Sequence, residues 1–98
     1  MKNAVLMNEQ DNVAVLTEPL KYKDLCIYMD SQGKEHSVSM MEDIPVYHKA
    51  ALCEIAKGEQ IIKYGECIGV AVDDIAQGEH VHVHNVRSSK LKKGDMYD

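Results

Sequence analysis

Apolar residues along this chain fall in short runs rich in Val and Ile, separated by Gly, Asp, Asn or Pro. Runs of this length, bounded by turn formers, are the pattern of β-strands, because a helix would repeat its apolar positions every three or four residues over a longer stretch. The pattern predicts strands over residues 4–7, 13–17, 25–29, 37–40, 49–53, 60–64, 68–72 and 79–83. Asp30, Ser31, Gln32 and Gly33 are turn formers between two of these runs and predict a hairpin. Residues 40–43 read as a short linker or turn ahead of Pro45. The fold class that follows is mainly β.

An internal echo sharpens this reading. Glu54-Ile-Ala-Lys-Gly-Glu59 recurs as Asp74-Ile-Ala-Gln-Gly-Glu79, and each copy leads into a predicted strand. Ile55 and Ile75 are suited to act as buried plugs, while Gly58 and Gly78 supply a backbone geometry that strains other residues. Glu59 and Glu79 hold equivalent places and are expected to fix the turn rather than to catalyse. Two copies imply a pseudo-symmetric β structure, but a solenoid needs at least three stacked repeats.

The chain has 98 residues, enough for a single domain with a modest core and short for an enzyme that closes an active site alone. Five Tyr and no Phe or Trp leave the core to Val, Ile, Leu, Ala and Met. After Asn85 the chain turns polar, and Arg87, Lys90, Lys92 and Lys93 give residues 87–93 four cations. A polar surface tail is therefore expected from about residue 86. No run approaches the roughly 20 apolar residues of a membrane-spanning helix, and the polar start reads as no signal peptide. A soluble cytoplasmic protein without a membrane partner is the expectation. Cys26, Cys53 and Cys67 are odd in number and lack CxxC spacing, so they read as small core residues in a reducing compartment. A formal charge of −5 argues against a nucleic-acid partner, whose phosphates require a basic face. Self-association into a homo-oligomer is left open.

Chemistry concentrates in His80, His82 and His84, which alternate with Val81 and Val83. In an extended strand all three imidazoles would project to one face and the valines to the other. Their Cβ atoms would stand roughly 6 to 7 Å apart, close enough for two imidazoles to share a divalent ion such as Fe, Mn or Zn. The plainer alternative is a solvated face of an amphipathic strand. His48 lies where a loop enters a strand and is a candidate base or ligand, against the alternative of a hydrogen-bonded surface histidine. His36 carries no signal beyond a structural one. Lys49, Lys63 and Arg87 are candidates for binding an anion, Arg87 being the only arginine and able to hold a carboxylate through two parallel hydrogen bonds. No GxSxG, phosphate-cradling glycine loop or HExxH occurs, which removes the common hydrolase, kinase and zincin readings.

The ordered run His48-Lys-Ala-Ala-Leu52, Glu54-Ile-Ala-Lys-Gly-Glu59, Ile62-Lys-Tyr-Gly65, Ile68-Gly69 and Asp74-Ile-Ala-Gln-Gly-Glu-His-Val-His-Val-His-Asn85 resembles the N-terminal SAF domain of the altronate/galactarate dehydratase family. Asp11-Asn-Val-Ala-Val15 is similar to that family's opening strand, whereas residues 20–43 and the tail match loosely. The resemblance implies a small β-clip domain over residues 1–98. It implies service beside a large dehydratase subunit that removes water from a sugar-acid substrate such as altronate or galactarate, with a divalent metal ion, Fe or Mn. On this reading His48 and His84 are catalytic, His80 and His82 hold the metal, and Lys49 and Arg87 bind substrate. The chain would then be the small subunit of a split hydro-lyase, inactive alone. Sulfolactate sulfo-lyase has a similar small subunit and eliminates sulfite, so the motifs leave the leaving group open. The competing expectation is a non-catalytic module that binds a sugar acid, a metal or a protein partner.

Overall fold

The computed structural model describes residues 2–88. Its strands are β1 (Ala4–Val5), β2 (Val13–Leu16), β3 (Leu25–Met29), β4 (Glu35–Ser39), β5 (Lys49–Ala51), β6 (Gln60–Lys63), β7 (Glu66–Ala71), β8 (His80–Val81) and β9 (Val86–Ser88). No helix occurs among the described residues, and the mainly β expectation holds. The strands form a central sheet in the order β1-β2-β5-β8, the hairpin β3-β4, and a sheet in the order β6-β7-β9, with every pairing antiparallel. The hairpin turns at Asp30 to Gly33 as expected, Gly33 taking a φ of 82°.

The central sheet separates two cores. Ala14, Leu16 and Ala50 pack on one side with Leu20, Cys26, Val38, Met40 and Ile44. Val13 and Ala51 pack on the other with Ile55, Ile61, Ala71, Ile75 and Val81. Burial on both faces explains why β2 reads as the unbroken apolar run Val-Ala-Val-Leu instead of alternating. Both cores are built from small and aliphatic side chains, as the lack of Phe and Trp requires.

Four five-residue turns, at 20–24, 44–48, 55–59 and 75–79, share one conformation. Their first residues are buried and bridge in pairs, Leu20 with Ile44 and Ile55 with Ile75. The fourth residue of each is left-handed: Lys23 (φ 79°), Tyr47 (71°), Gly58 (90°) and Gly78 (90°). In each turn the fourth residue's N–H and the fifth residue's carbonyl clamp one buried residue, namely Met40, Leu16, Ala71 and Ala51 in turn. In three of the turns the fifth side chain accepts the N–H of the second residue. Asp24 takes Lys21 at 2.8 Å, Glu59 takes Ala56 at 2.7 Å and Glu79 takes Ala76 at 2.8 Å. The pairs are cross-linked alike, since Asp43 accepts from the Tyr22 N–H and Asp74 from the Lys57 N–H. The sequence echo exposed only the last two turns, because the first two lack its Ala and Gly. The Ile plugs and the turn-fixing role of Glu59 and Glu79 hold as expected.

Three expectations change. Val86–Ser88, expected at the start of the polar tail, pairs with β7, and Val86 packs against the second core. The remainder of the tail lies outside the described residues. The run expected to be a strand over 79–83 leaves the ladder after Val81. Cys26 is a core residue, but Cys53 is exposed and Cys67 only partly buried.

Candidate functional site

His48 is the fifth residue of the second turn and leads directly into β5, while His80 opens β8. β5 and β8 are paired neighbours, with Ala50 opposite His80. This pairing brings together two imidazoles separated by thirty-two residues, so that His48 Nδ1 lies 2.8 Å from His80 Nε2. In such a contact one nitrogen carries the proton and the other accepts it.

His82 arrives by a different route from the one its spacing suggested. After Val81 the chain turns, and Val83, expected to enter the other face, is 81% exposed. Asn85 causes the turn. Its Oδ1 accepts the His82 N–H at 2.9 Å, and its Nδ2 donates to the His80 carbonyl at 2.8 Å. The Asn85 amide closes the loop on the His82 carbonyl at 3.1 Å. Asn side chains favour such turns because they hydrogen-bond the backbone nearby. The result stacks the His82 ring on His48, centroids 4.2 Å apart.

One nitrogen from each of His48, His80 and His82 lies within 4.8 Å of the other two. His84 stands aside from this set and meets only the His80 ring among the described ring contacts, at 5.2 Å. Burial, then the charges of His48, His84 and His82, lowers the His80 pKa. The His82 pKa is lowered as well, first by desolvation, then by His48, Lys49 and His84. Glu42 opposes this at His80, and its carboxylate also accepts the His80 N–H at 2.9 Å. Two of the three rings are thus biased toward the neutral form in which imidazole offers a lone pair. Three imidazoles without a carboxylate suit ions of borderline softness, ferrous iron or zinc, better than manganese, which prefers oxygen.

Of the anion-binding candidates, Lys49 reaches the site. With His82, Val83 and Val86 it lines a recess of about 160 Å³. Burial and the nearby Lys63 lower its pKa, so Lys63 joins it in a small cationic pair. Arg87 does not reach the recess. It lies on β9 between Val86 and Ser88, which both line the recess, so alternation turns it to the opposite face. His36 is held by Asp30 at 2.9 Å and stacks on Tyr28, in keeping with a structural role.

Sequence reasoning passed over Glu42 and Asn85. A turn-forming Asn at the end of a histidine-rich run was the available signal for the second. Nothing in the sequence brings Glu42 to His80, because that contact depends on the fold.

The altronate/galactarate dehydratase SAF domain matches residues 2–89. The chain is 44% identical over 87 residues to altronate dehydratase of Escherichia coli (strain K12), covering 89% of this chain and 16% of that protein. It is 38% identical over 66 residues to (2R)-sulfolactate sulfo-lyase subunit alpha of Paracoccus pantotrophus, covering 67% of this chain and 97% of that subunit. The corresponding subunit of Chromohalobacter salexigens is 42% identical over 59 residues, 60% of this chain and 63% of the subunit. The chain thus spans about a sixth of the altronate dehydratase it resembles and nearly the full length of one sulfo-lyase alpha subunit. It belongs to the altronate/galactarate dehydratase SAF domain family.

Proposed function

We propose that this chain is the small subunit of a cytoplasmic lyase that removes water from a sugar acid of the altronate or galactarate type, its catalytic body being a separate large dehydratase subunit. The observation that carries the reading is the meeting of His48, His80 and His82 in a chain of this family. A site on one face of a small domain is open to water, and a large partner would exclude it. Altronate dehydratases have this domain as a minor part of a longer chain, which supports a catalytic body elsewhere.

His48, His80 and His82 would hold a divalent ion, with iron favoured over manganese by the all-nitrogen donor set. His48, a candidate base or ligand from its place in the sequence and a catalytic residue on the family resemblance, is thereby assigned to the ligand set. The chemistry such an ion supplies is Lewis-acid stabilisation of charge on the substrate's carboxylate end. Lys49 and Lys63 would attract that carboxylate. His84, beside the set but outside it, is our candidate to move a proton during β-elimination.

The test captures the chain from its native source with any large partner and assays the complex for altronate or galactarate dehydration and for sulfite release. His48→Ala, His80→Ala, His82→Ala and His84→Ala are then compared in turnover and bound metal. At least one should lose about 10²-fold in rate, the scale of a removed general acid or base. If all four assemble with near wild-type turnover and metal content, the chain is a binding module and the proposal fails.

A further inference from the structure

His48 occupies a place that serves a different purpose in the other three turns. Asp24, Glu59 and Glu79 are the matching fifth residues, and each spends its side chain on the N–H of the second residue. The second residue of the His48 turn is Pro45, which has no N–H to offer. The histidine atom placed for that role is Nδ1, because it branches from Cγ as an aspartate oxygen does. That same atom makes the 2.8 Å contact with His80. A donor at position 45 would therefore compete with His80 for Nδ1.

We infer that Pro45 is a positioning residue of the histidine site: by deleting the one backbone donor that this turn would direct at its fifth side chain, it leaves His48 Nδ1 free to face His80. The turn itself survives without the bond. Its frame is still held by the Leu20–Ile44 bridge and by the two bonds that Tyr47 and His48 make to Leu16. A standard structural turn has thus been converted into a turn that presents a functional side chain.

The inference is tested by Pro45→Ala in the full chain, read in three ways at pH 8. In a crystal structure of Pro45→Ala, His48 Nδ1 should accept the new backbone N–H at position 45 and no longer face His80. An unchanged His48–His80 contact would overturn the inference. Second, Pro45→Ala is made on His48→Asp and on His48→Ala backgrounds, so that proline's own effect on the unfolded chain cancels. On the aspartate background it should favour folding by about fivefold more, the worth of a restored turn cap. Equal effects on both backgrounds would mean that this turn captures no donor, and the inference would fall. Third, Pro45→Ala alone should weaken Zn²⁺ affinity about tenfold, a change that a purely structural proline would not produce. This last arm rests on the metal-holding reading above. If the unmutated chain and its assembled complex bind no metal, that reading fails, while the first two arms still judge Pro45.

Discussion

Asn85 ties the histidine site to the backbone with both ends of its amide, and it is buried. Truncation would leave the His82 N–H and the His80 carbonyl without these partners, at a cost of about 1 to 3 kcal/mol for an unsatisfied buried group. Asn85→Ala should therefore lower stability by that amount in urea unfolding, with no change at the His36–Asp30 pair, and on the proposed metal-holding reading it should also reduce divalent-metal affinity. Asn85→Asp keeps the acceptor for His82 but loses the donor to His80, and should fall between the two. The lowered pKa values of His80 and His82 have a consequence for the folded state without metal. Both groups bind protons more weakly folded than unfolded, so the unfolded chain takes up the extra protons as pH falls. Stability from this source is complete above the unfolded value, about 6.5, and is lost as pH drops toward the depressed folded values. Urea midpoints between pH 7.5 and 5.5 should decline, and the decline should be shallower in His80→Gln; equal slopes would contradict it. At this scale the density of histidines in the sequence drew attention to residues that the fold brings together, His80 and His82 with His48. It misjudged how they meet, because strand alternation was assumed through residues that Asn85 pulls into a turn.

Gly58 and Gly78 are the same element seen twice, with the same φ of 90°, but they differ in surroundings. Nothing lies within 4 Å of a side chain added at Gly58, whereas one at Gly78 would meet the Ser39 carbonyl at 2.2 Å. Gly58→Ala should cost about 1 to 2 kcal/mol, the strain of a left-handed alanine. Gly78→Ala adds a clash with backbone that cannot swing aside and should cost several kcal/mol or prevent folding. Comparable midpoints for the two variants would refute this account. The difference has a structural meaning, since the Gly78 carbonyl accepts the Met41 N–H and so fastens the last turn to the first half of the chain. Elements of this kind were half legible. The Gly-containing turns announced themselves, while Lys23 and Tyr47 adopt the same left-handed backbone without glycine and left no mark in composition. β9 was missed for a related reason. Val86-Arg-Ser88 is a short polar edge strand, and its pairing with β7 depends on Gly69, where an added Cβ would lie 2.6 Å from the Arg87 carbonyl.

At the scale of the whole molecule, two similar halves, each with its own bridged pair of turns and its own core, are fused across the β2–β5 pair. Neighbouring residues of these strands point into opposite cores: Val13 and Ala51 into one, Ala14 and Ala50 into the other. The mainly β class and the likeness of the last two turns were readable from short apolar runs and the echo, but the likeness of the two halves and their fusion were not. A run such as Val13-Ala-Val-Leu16 is consistent with burial on both faces without saying what lies on each. The fusion makes a definite claim about stability. If the halves were merely tethered, loosening one core would leave the other unaffected. Because β2 and β5 supply side chains to both, neither core persists once these strands separate, and unfolding should be a single cooperative event. Ile61→Val trims one methylene from the second core, at about 1 kcal/mol. Its effect is followed by urea-dependent amide exchange at Val38, in the first core, and at Ala71, in the second. The two amides should lose protection by the same amount, since both exchange only when the shared sheet opens. A loss confined to Ala71 would mean that the halves unfold independently, and that the paired turns, rather than the central sheet, set the cooperative unit.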